Sequence, residues 1–160
     1  VPGVGILLNN EMDDFVAKAG VPNGFRLVGA EANSIAPGKR PLSSMTPTFV
    51  ERPDGVMVLG TPGGSYIMGM VLLATLDWMQ GMSPDELVKK GRFHHQYMPD
   101  VLSFEPGALS TDVQERLKQY GHNLRESRQP GNMQIVTWDY KSGEVKAVSD
   151  PRGVGVGVVY

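Results

Sequence analysis

Glycine and proline interrupt the first fifty residues so often that only short regular pieces fit there: Gly3, Gly5, Pro22, Gly24, Gly29, Pro37, Gly38, Pro41 and Pro47. The 20 glycines and 12 prolines make up a fifth of the 160 residues, well above average usage, and they follow no fixed period. So much irregular chain in a folded protein signals loops with a task. Within this stretch only pieces such as Ile6 to Leu8 and Thr48 to Val50 suit strands. From residue 55 the pattern changes. Gly55 to Leu59 is a short apolar run bounded by turn signals, which predicts a strand. Gly60-Thr-Pro-Gly-Gly64 follows, then Ser65 to Gln80, a Met-, Leu- and Ala-rich run that predicts a buried helix with Ser65 as N-cap. Ser83-Pro84-Asp-Glu86 carries a cap residue, a first-turn proline and a reciprocal Glu, a second helix start. Leu102 to Glu105 suits a strand, and Ser110 to Tyr120 suits an amphipathic helix closed by Gly121. Asn132 to Trp138 and Glu144 to Val148 suit two strands joined near Lys141-Ser-Gly143, and Gly155 to Tyr160 a last one. The order of strands, then helices, then strands points to a layered α+β fold rather than regular βαβ units.

Charge and composition exclude several functions. With 15 Lys and Arg against 17 Asp and Glu, and no basic cluster, the chain has no electrostatic footprint for nucleic acid. No apolar run approaches the ~18–20 residues a membrane span needs. No signal peptide is visible in these residues. The absence of cysteine removes disulfides, thiolate catalysis and Cys-based zinc sites.

Four clusters are candidates for chemistry. Gly63 and Gly64, between a strand and a helix, let the backbone approach a ligand closely, and their N–H groups suit an anion or a developing oxyanion. A tight strand-to-helix turn is the alternative. The segment lacks the Gly-x4-Gly-Lys-[Ser/Thr] spacing of a phosphate loop. Glu11, Asp13 and Asp14 place three carboxylates in four residues. Such acids need cationic company or solvent, so they suit either an ammonium group or a solvated turn. Ser43 and Ser44 follow Lys39-Arg40-Pro41 and offer hydroxyls to a carboxylate, or form a polar turn. Neither Ser-x-x-Lys nor Gly-x-Ser-x-Gly is present, which counts against a serine hydrolase. His94 and His95 are adjacent and cannot share a face, so structural hydrogen bonding is expected of them, and no metal site.

Five motifs run in one order: Gly5-Ile-Leu-Leu-Asn-Asn-Glu-Met-Asp-Asp-Phe15, Pro37-Gly-Lys-Arg-Pro-Leu-Ser-Ser-Met-Thr-Pro-Thr48, Gly60-Thr-Pro-Gly-Gly-Ser65, Arg92-Phe-His-His-Gln96 with Pro99-Asp100, and Ser149-Asp-Pro-Arg152. Together they resemble the C-terminal part of the small, catalytic subunit of γ-glutamyltransferase, over residues 1–160 as a single-domain fragment. The resemblance implies an N-terminal nucleophile hydrolase fold, an αββα sandwich incomplete in this chain. It implies a precursor that cleaves itself, and transfer of the γ-glutamyl group of glutathione or a related amide to an N-terminal Thr, then to water or an amine. By the same resemblance, Asp14 pairs with the substrate α-ammonium, assisted by Glu11. Ser43 and Ser44 bind the α-carboxylate, and Gly63 and Gly64 form the oxyanion hole. Residues Ala19 to Ala30 resemble a lid loop.

No cofactor is implied. The implied partners are the large subunit and the upstream part of the small subunit from the same precursor, with a small γ-glutamyl substrate. The implied compartment is periplasmic or extracellular. The nucleophilic Thr and the large subunit are absent from these residues, and Val1-Pro2 cannot replace the Thr, so the chain alone is expected to be inactive. Tyr66, Phe25 and Gly91 depart from the residues many relatives carry. A related N-terminal nucleophile acylase, a poly-γ-glutamate-cleaving enzyme and a non-catalytic amino-acid-binding fragment stay open as alternatives.

Overall fold

The computed structural model describes residues 3–6 and 8–160. They divide into two compact units, the first ending at Ser44 and the second spanning Met45–Tyr160. Leu7 and the Val1-Pro2 pair lie outside the described residues.

The first unit has short turns in place of long elements, as its glycines and prolines dictate. A 3-10 turn covers Glu11–Asp14 and a second covers Glu31–Asn33. Of the expected Ile6 to Leu8 strand, Leu7 lies outside the described residues, and Ile6 and Leu8 on either side of it are assigned to no strand. Buried Phe15 and Val16 anchor the chain after the first turn. Val16 forms a parallel bridge with Ser34, and Pro22 an antiparallel one with Val28. The intervening loop closes on Asn23, whose Oδ1 accepts from the Phe25 and Leu27 amides at 3.0 Å each. Gly29 sits where a Cβ would come within 2.0 Å of Val16 Cγ2, so only glycine lets the loop return this close.

In the second unit, strands β1 (Thr48–Arg52), β2 (Gly55–Gly60), β6 (Gln134–Asp139) and β7 (Val145–Ser149) form an antiparallel sheet in the order β1-β2-β6-β7. Helices α1 (Ile67–Met79) and α2 (Pro84–Lys89) cover one face. Met57, Leu59 and Ile135 from the sheet meet Met70, Val71, Ala74 and Trp78 of α1 and Leu87 and Val88 of α2 in the core. The strand alternation puts Phe49, Val58 and Val136 in register on the other face, where Phe49 is 75% and Trp138 50% exposed. A smaller sheet pairs β3 (Phe93–His94) antiparallel to β4 (Leu102–Phe104), and β4 parallel to β5 (Leu124–Glu126), after α3 (Thr111–Gln119).

The cap predictions hold for α2, where the Ser83 amide and hydroxyl both reach Glu86 Oε2, at 2.9 and 2.5 Å. They hold for α3 too, where Ser110 Oγ accepts from Val113 N at 3.4 Å. They fail at α1. A 3-10 turn, Gly64–Tyr66, precedes that helix, and the Ser65 hydroxyl bonds elsewhere. Residues 155–160 are also not a strand. There the glycines serve close approach: a Cβ on Gly157 would lie 1.9 Å from the Ala147 carbonyl oxygen.

Candidate functional site

In the first unit the 3-10 geometry sorts the acidic cluster. Three residues per turn eclipse positions i and i+3, so Glu11 and Asp14 share a face while Asp13 points away. The burial pattern agrees: Glu11 and Asp14 are half-buried, Met12 and Asp13 exposed. The Glu11 amide donates to Asn9 Oδ1 at 3.2 Å and the Asp13 amide to Asn10 O at 3.0 Å. Among the described residues no Lys, Arg or His lies within ion-pair distance of these acids. Such a face attracts a cation. Ser43 is exposed and Ser44 half-buried in the same unit. The Leu42 amide beside them donates to Asn33 Oδ1 at 2.9 Å.

In the second unit Gly63 and Gly64 adopt φ of +145° and +57°, conformations that favour glycine. A Cβ on Gly63 would also lie 2.8 Å from Met70 Cε. Among the described residues neither amide N–H is taken up by another hydrogen bond, and both stand at the start of the helical run into α1. That position favours negative charge. Behind the turn, the Ser65 hydroxyl donates to Gln96 Oε1 at 2.6 Å, and His94 Nε2 lies 3.0 Å from the same oxygen. Gln96 Nε2 donates to Met98 O at 3.1 Å, which sets the amide orientation and makes His94 the donor. Tyr66 stacks on His94 with centroids 3.8 Å apart. His95 Nε2 sits 2.9 Å from Asp100 Oδ1. Both adjacent histidines thus have separate structural partners. Among the described residues no His, Asp and Glu group is arranged to hold a metal.

The structure also joins charged residues that sequence could not pair. Arg92 is 6% and Asp150 1% exposed. They form a buried ion pair through Arg92 Nη2 and Asp150 Oδ2. Asp150 further accepts from the Met133 amide at 2.9 Å, the Arg152 amide at 2.9 Å and Arg152 Nη1 at 3.1 Å. Arg152 Nε reaches Glu105 Oε1 at 2.8 Å, its Nη2 bonds Glu105 Oε2, and the Arg92 amide meets Glu105 Oε2 at 2.9 Å. Burial works against the charge on Glu105, but Arg152 and the Arg92 amide outweigh it and hold the carboxyl below its ordinary pKa. Burial likewise opposes the charge on Asp150. The Met133 and Arg152 amides and Arg92 prevail and lower its pKa too. Two of the motifs quoted above contain Arg92, Asp150 and Arg152. Glu105 stands outside them all, and no spacing rule signals it.

These features can be set beside known proteins. The sequence signature described as Gamma-glutamyltranspeptidase matches residues 1–160. A glutathione hydrolase proenzyme of Pseudomonas sp. (strain A14) is 50% identical over 133 residues, covering 81% of this chain and 23% of the relative. That of Escherichia coli (strain K12) is 44% identical over 153 residues, covering 94% and 26%. The chain thus spans about a quarter of the length of these curated relatives. A gamma-glutamyltranspeptidase inhibited by acivicin superposes with a TM-score of 0.86 at 38% identity, over 97% of this chain and 85% of that one. The Pseudomonas nitroreducens gamma-glutamyltranspeptidase complexed with L-DON gives a TM-score of 0.84 at 41% identity, over 100% and 84%. The helices and sheets of the second unit, the ordered motifs and the match over residues 1–160 agree: the chain belongs to the gamma-glutamyltranspeptidase family and has the α+β, N-terminal nucleophile hydrolase fold of that family.

Proposed function

We propose that this chain is the substrate-recognising part of a γ-glutamyl acyl-transfer enzyme, a glutathione hydrolase and transferase when complete. The observation that carries the reading is the shared face of Glu11 and Asp14, two half-buried carboxylates with no cation beside them among the described residues. Asp14, assisted by Glu11, holds the donor α-ammonium. Ser43 and Ser44 hold its α-carboxylate. The Gly63 and Gly64 amides stabilise the oxyanion, a role whose loss typically costs about 10²- to 10³-fold in rate. The nucleophile is an N-terminal Thr that the 160 residues do not contain, with its own α-amino group as base. Its hydroxyl oxygen bonds to the γ-carbonyl carbon while the base takes the proton. The C–N bond then breaks and the leaving amine takes that proton. Water or an acceptor amine next releases the glutamyl group. Recognition is thereby spent on the glutamyl α-carbon, which leaves the departing group free to vary.

The partners are the large subunit and the upstream part of the small subunit from one self-cleaving precursor. The exposed apolar sheet face with Phe49, Val136 and Trp138 supports such a covering layer. In the acivicin-inhibited relative the C-terminus has critical roles in autoprocessing and catalysis, which supports a processed precursor here. Residues 1–160 are a fragment of the small, catalytic subunit, and the compartment is periplasmic or extracellular. No helix among the described residues is long and apolar enough to cross a membrane. The test is Asp14→Ala in the full-length protein, assayed by release of a chromophoric amine from a γ-glutamyl anilide. Losing a charge-assisted contact of about 1.5–3 kcal/mol lowers kcat/KM about 10- to 150-fold. Unchanged kinetics would refute the assignment.

A further inference from the structure

We propose that Asn33 is a positioning residue for donor recognition, holding the Glu11–Asp14 turn and the Leu42–Ser44 segment at one spacing. The inference rests on the recognition roles proposed above. Asn33 Nδ2 donates to the Asp14 carbonyl at 2.7 Å, and Asn33 Oδ1 accepts from the Leu42 amide at 2.9 Å. Its backbone is engaged as well: Asn33 O accepts from Val16 N at 2.9 Å, and Asn33 N donates to Ala30 O at 3.0 Å. The side-chain amide has only one orientation that works. A flipped amide would aim its oxygen at the Asp14 carbonyl and its NH2 at the Leu42 N–H, losing both bonds. Asn33 is half-buried and closes the second 3-10 turn, so its own position is set before it reaches either segment.

The two segments need such a link because of what lies between them. Asp14 and Leu42 are separated by a turn-rich loop with Gly20, Pro22, Gly24 and Gly29, and by Pro37-Gly38. Neither segment belongs to a sheet or an α-helix that would set its place. The group for the donor ammonium is on one side of the Asn33 amide and the groups for the donor carboxylate are on the other. An amino acid head group has a fixed separation between its two charges, so the spacing of the two anchors decides how well both are met. Misplacement by about 1 Å is enough to cost of order 100-fold in such a site. No other side chain reproduces the link at this size. Aspartate keeps the acceptor for Leu42 but sets an oxygen against the Asp14 carbonyl. Alanine removes both bonds.

The test uses Asn33→Ala, Asn33→Asp and Asp14→Ala in the full-length protein. The readouts are KM and kcat for an L-γ-glutamyl anilide, the L-over-D preference between the enantiomeric anilides, and the thermal midpoint. Both Asn33 variants are expected to raise KM about 10- to 100-fold, with kcat changed far less, and to lower the L-over-D preference. A residue that only supported the fold would not move enantiomer preference. Wild-type KM and preference in both variants would overturn the proposal. So would loss of folded protein in both, since Asn33 would then hold the fold rather than the donor anchors. If Asp14→Ala weakens donor use and the Asn33 variants do not, only the positioning role fails. If Asp14→Ala itself has no effect, the recognition reading falls with it.

Discussion

Removing the Asp150 carboxylate should be among the most damaging single changes in this chain. Asp150 is 1% exposed and accepts from the Met133 amide, the Arg152 amide, Arg152 Nη1 and Arg92 Nη2. With Glu105 it balances two guanidinium groups, one of them buried. Asp150→Leu leaves one positive charge uncompensated in that cluster, and breaking a buried pair in this way costs about 3–5 kcal/mol. That is a large share of the ~5–15 kcal/mol by which a domain is stable. Asp150→Asn should fare little better, although it matches the shape. Both carboxylate oxygens face only N–H donors, so the new NH2 must meet donors on one side. The assay is urea unfolding of the full-length protein, followed by circular dichroism. At a slope near 2 kcal/mol per M, a loss of about 4 kcal/mol moves the midpoint down by about 2 M. Arg92→Met should cost a similar amount. The double variant Arg92→Met with Asp150→Leu should lose at least about 2 kcal/mol less than the two single losses combined, because it leaves no orphan charge between that pair. Strictly additive losses, or an Asp150→Asn protein as stable as wild type, would refute the reasoning.

Three further outcomes are expected. The carboxyls of Glu105 and Asp150 sit below their ordinary pKa, so the unfolded chain binds their protons first as pH falls. Their contribution is complete above about pH 5 and falls away progressively as the pH drops below the ordinary carboxylate range and through their lowered folded-state pKa; a stability profile that stays flat down to pH 2 would contradict this. Gly157→Ala forces a Cβ against the Ala147 carbonyl, backbone against backbone, and should cost about 1–3 kcal/mol and speed amide hydrogen exchange in β7. Unchanged exchange in β7 would show that the tail does not need that approach. Ser65→Ala removes the hydroxyl that ties the Gly64–Tyr66 turn to Gln96 and should lower kcat by about fivefold, the equivalent of about 1 kcal/mol, with KM little changed. A change in KM alone would separate that turn from the chemistry.

Where local chemistry decides structure, the elements were legible in the sequence. The Ser83-Pro84-Asp85-Glu86 cap and the Gly55–Leu59 run predict α2 and β2 because the cap and the apolar run act over a few residues. The motifs likewise carry the family over residues 1–160. Ser65 shows the limit. Its type suits an N-cap, yet its hydroxyl takes a partner 31 residues away, so a long-range bond displaces the local one. The tail glycines at 155 and 157 mark close approach to β7 rather than a strand, because a strand is defined by its partner and not by its own residues.

The candidate site divides along the same line. Residue type alone marks Glu11, Asp13, Asp14, Ser43, Ser44, Gly63 and Gly64 as candidates and leaves a plain turn open for each. It is the resemblance of the ordered motifs that picks out Glu11, Asp14, the two serines and the two glycines for the proposed roles. Tertiary structure decided which acids share a face, that Asn33 bridges two separate segments, and that Glu105 completes a buried charge cluster with Arg92, Asp150 and Arg152. Those facts depend on which distant groups are brought within about 3 Å and shielded from water. Hydrogen bonds and ion pairs gain their strength only at that range and in that shelter, and no spacing along a chain records either.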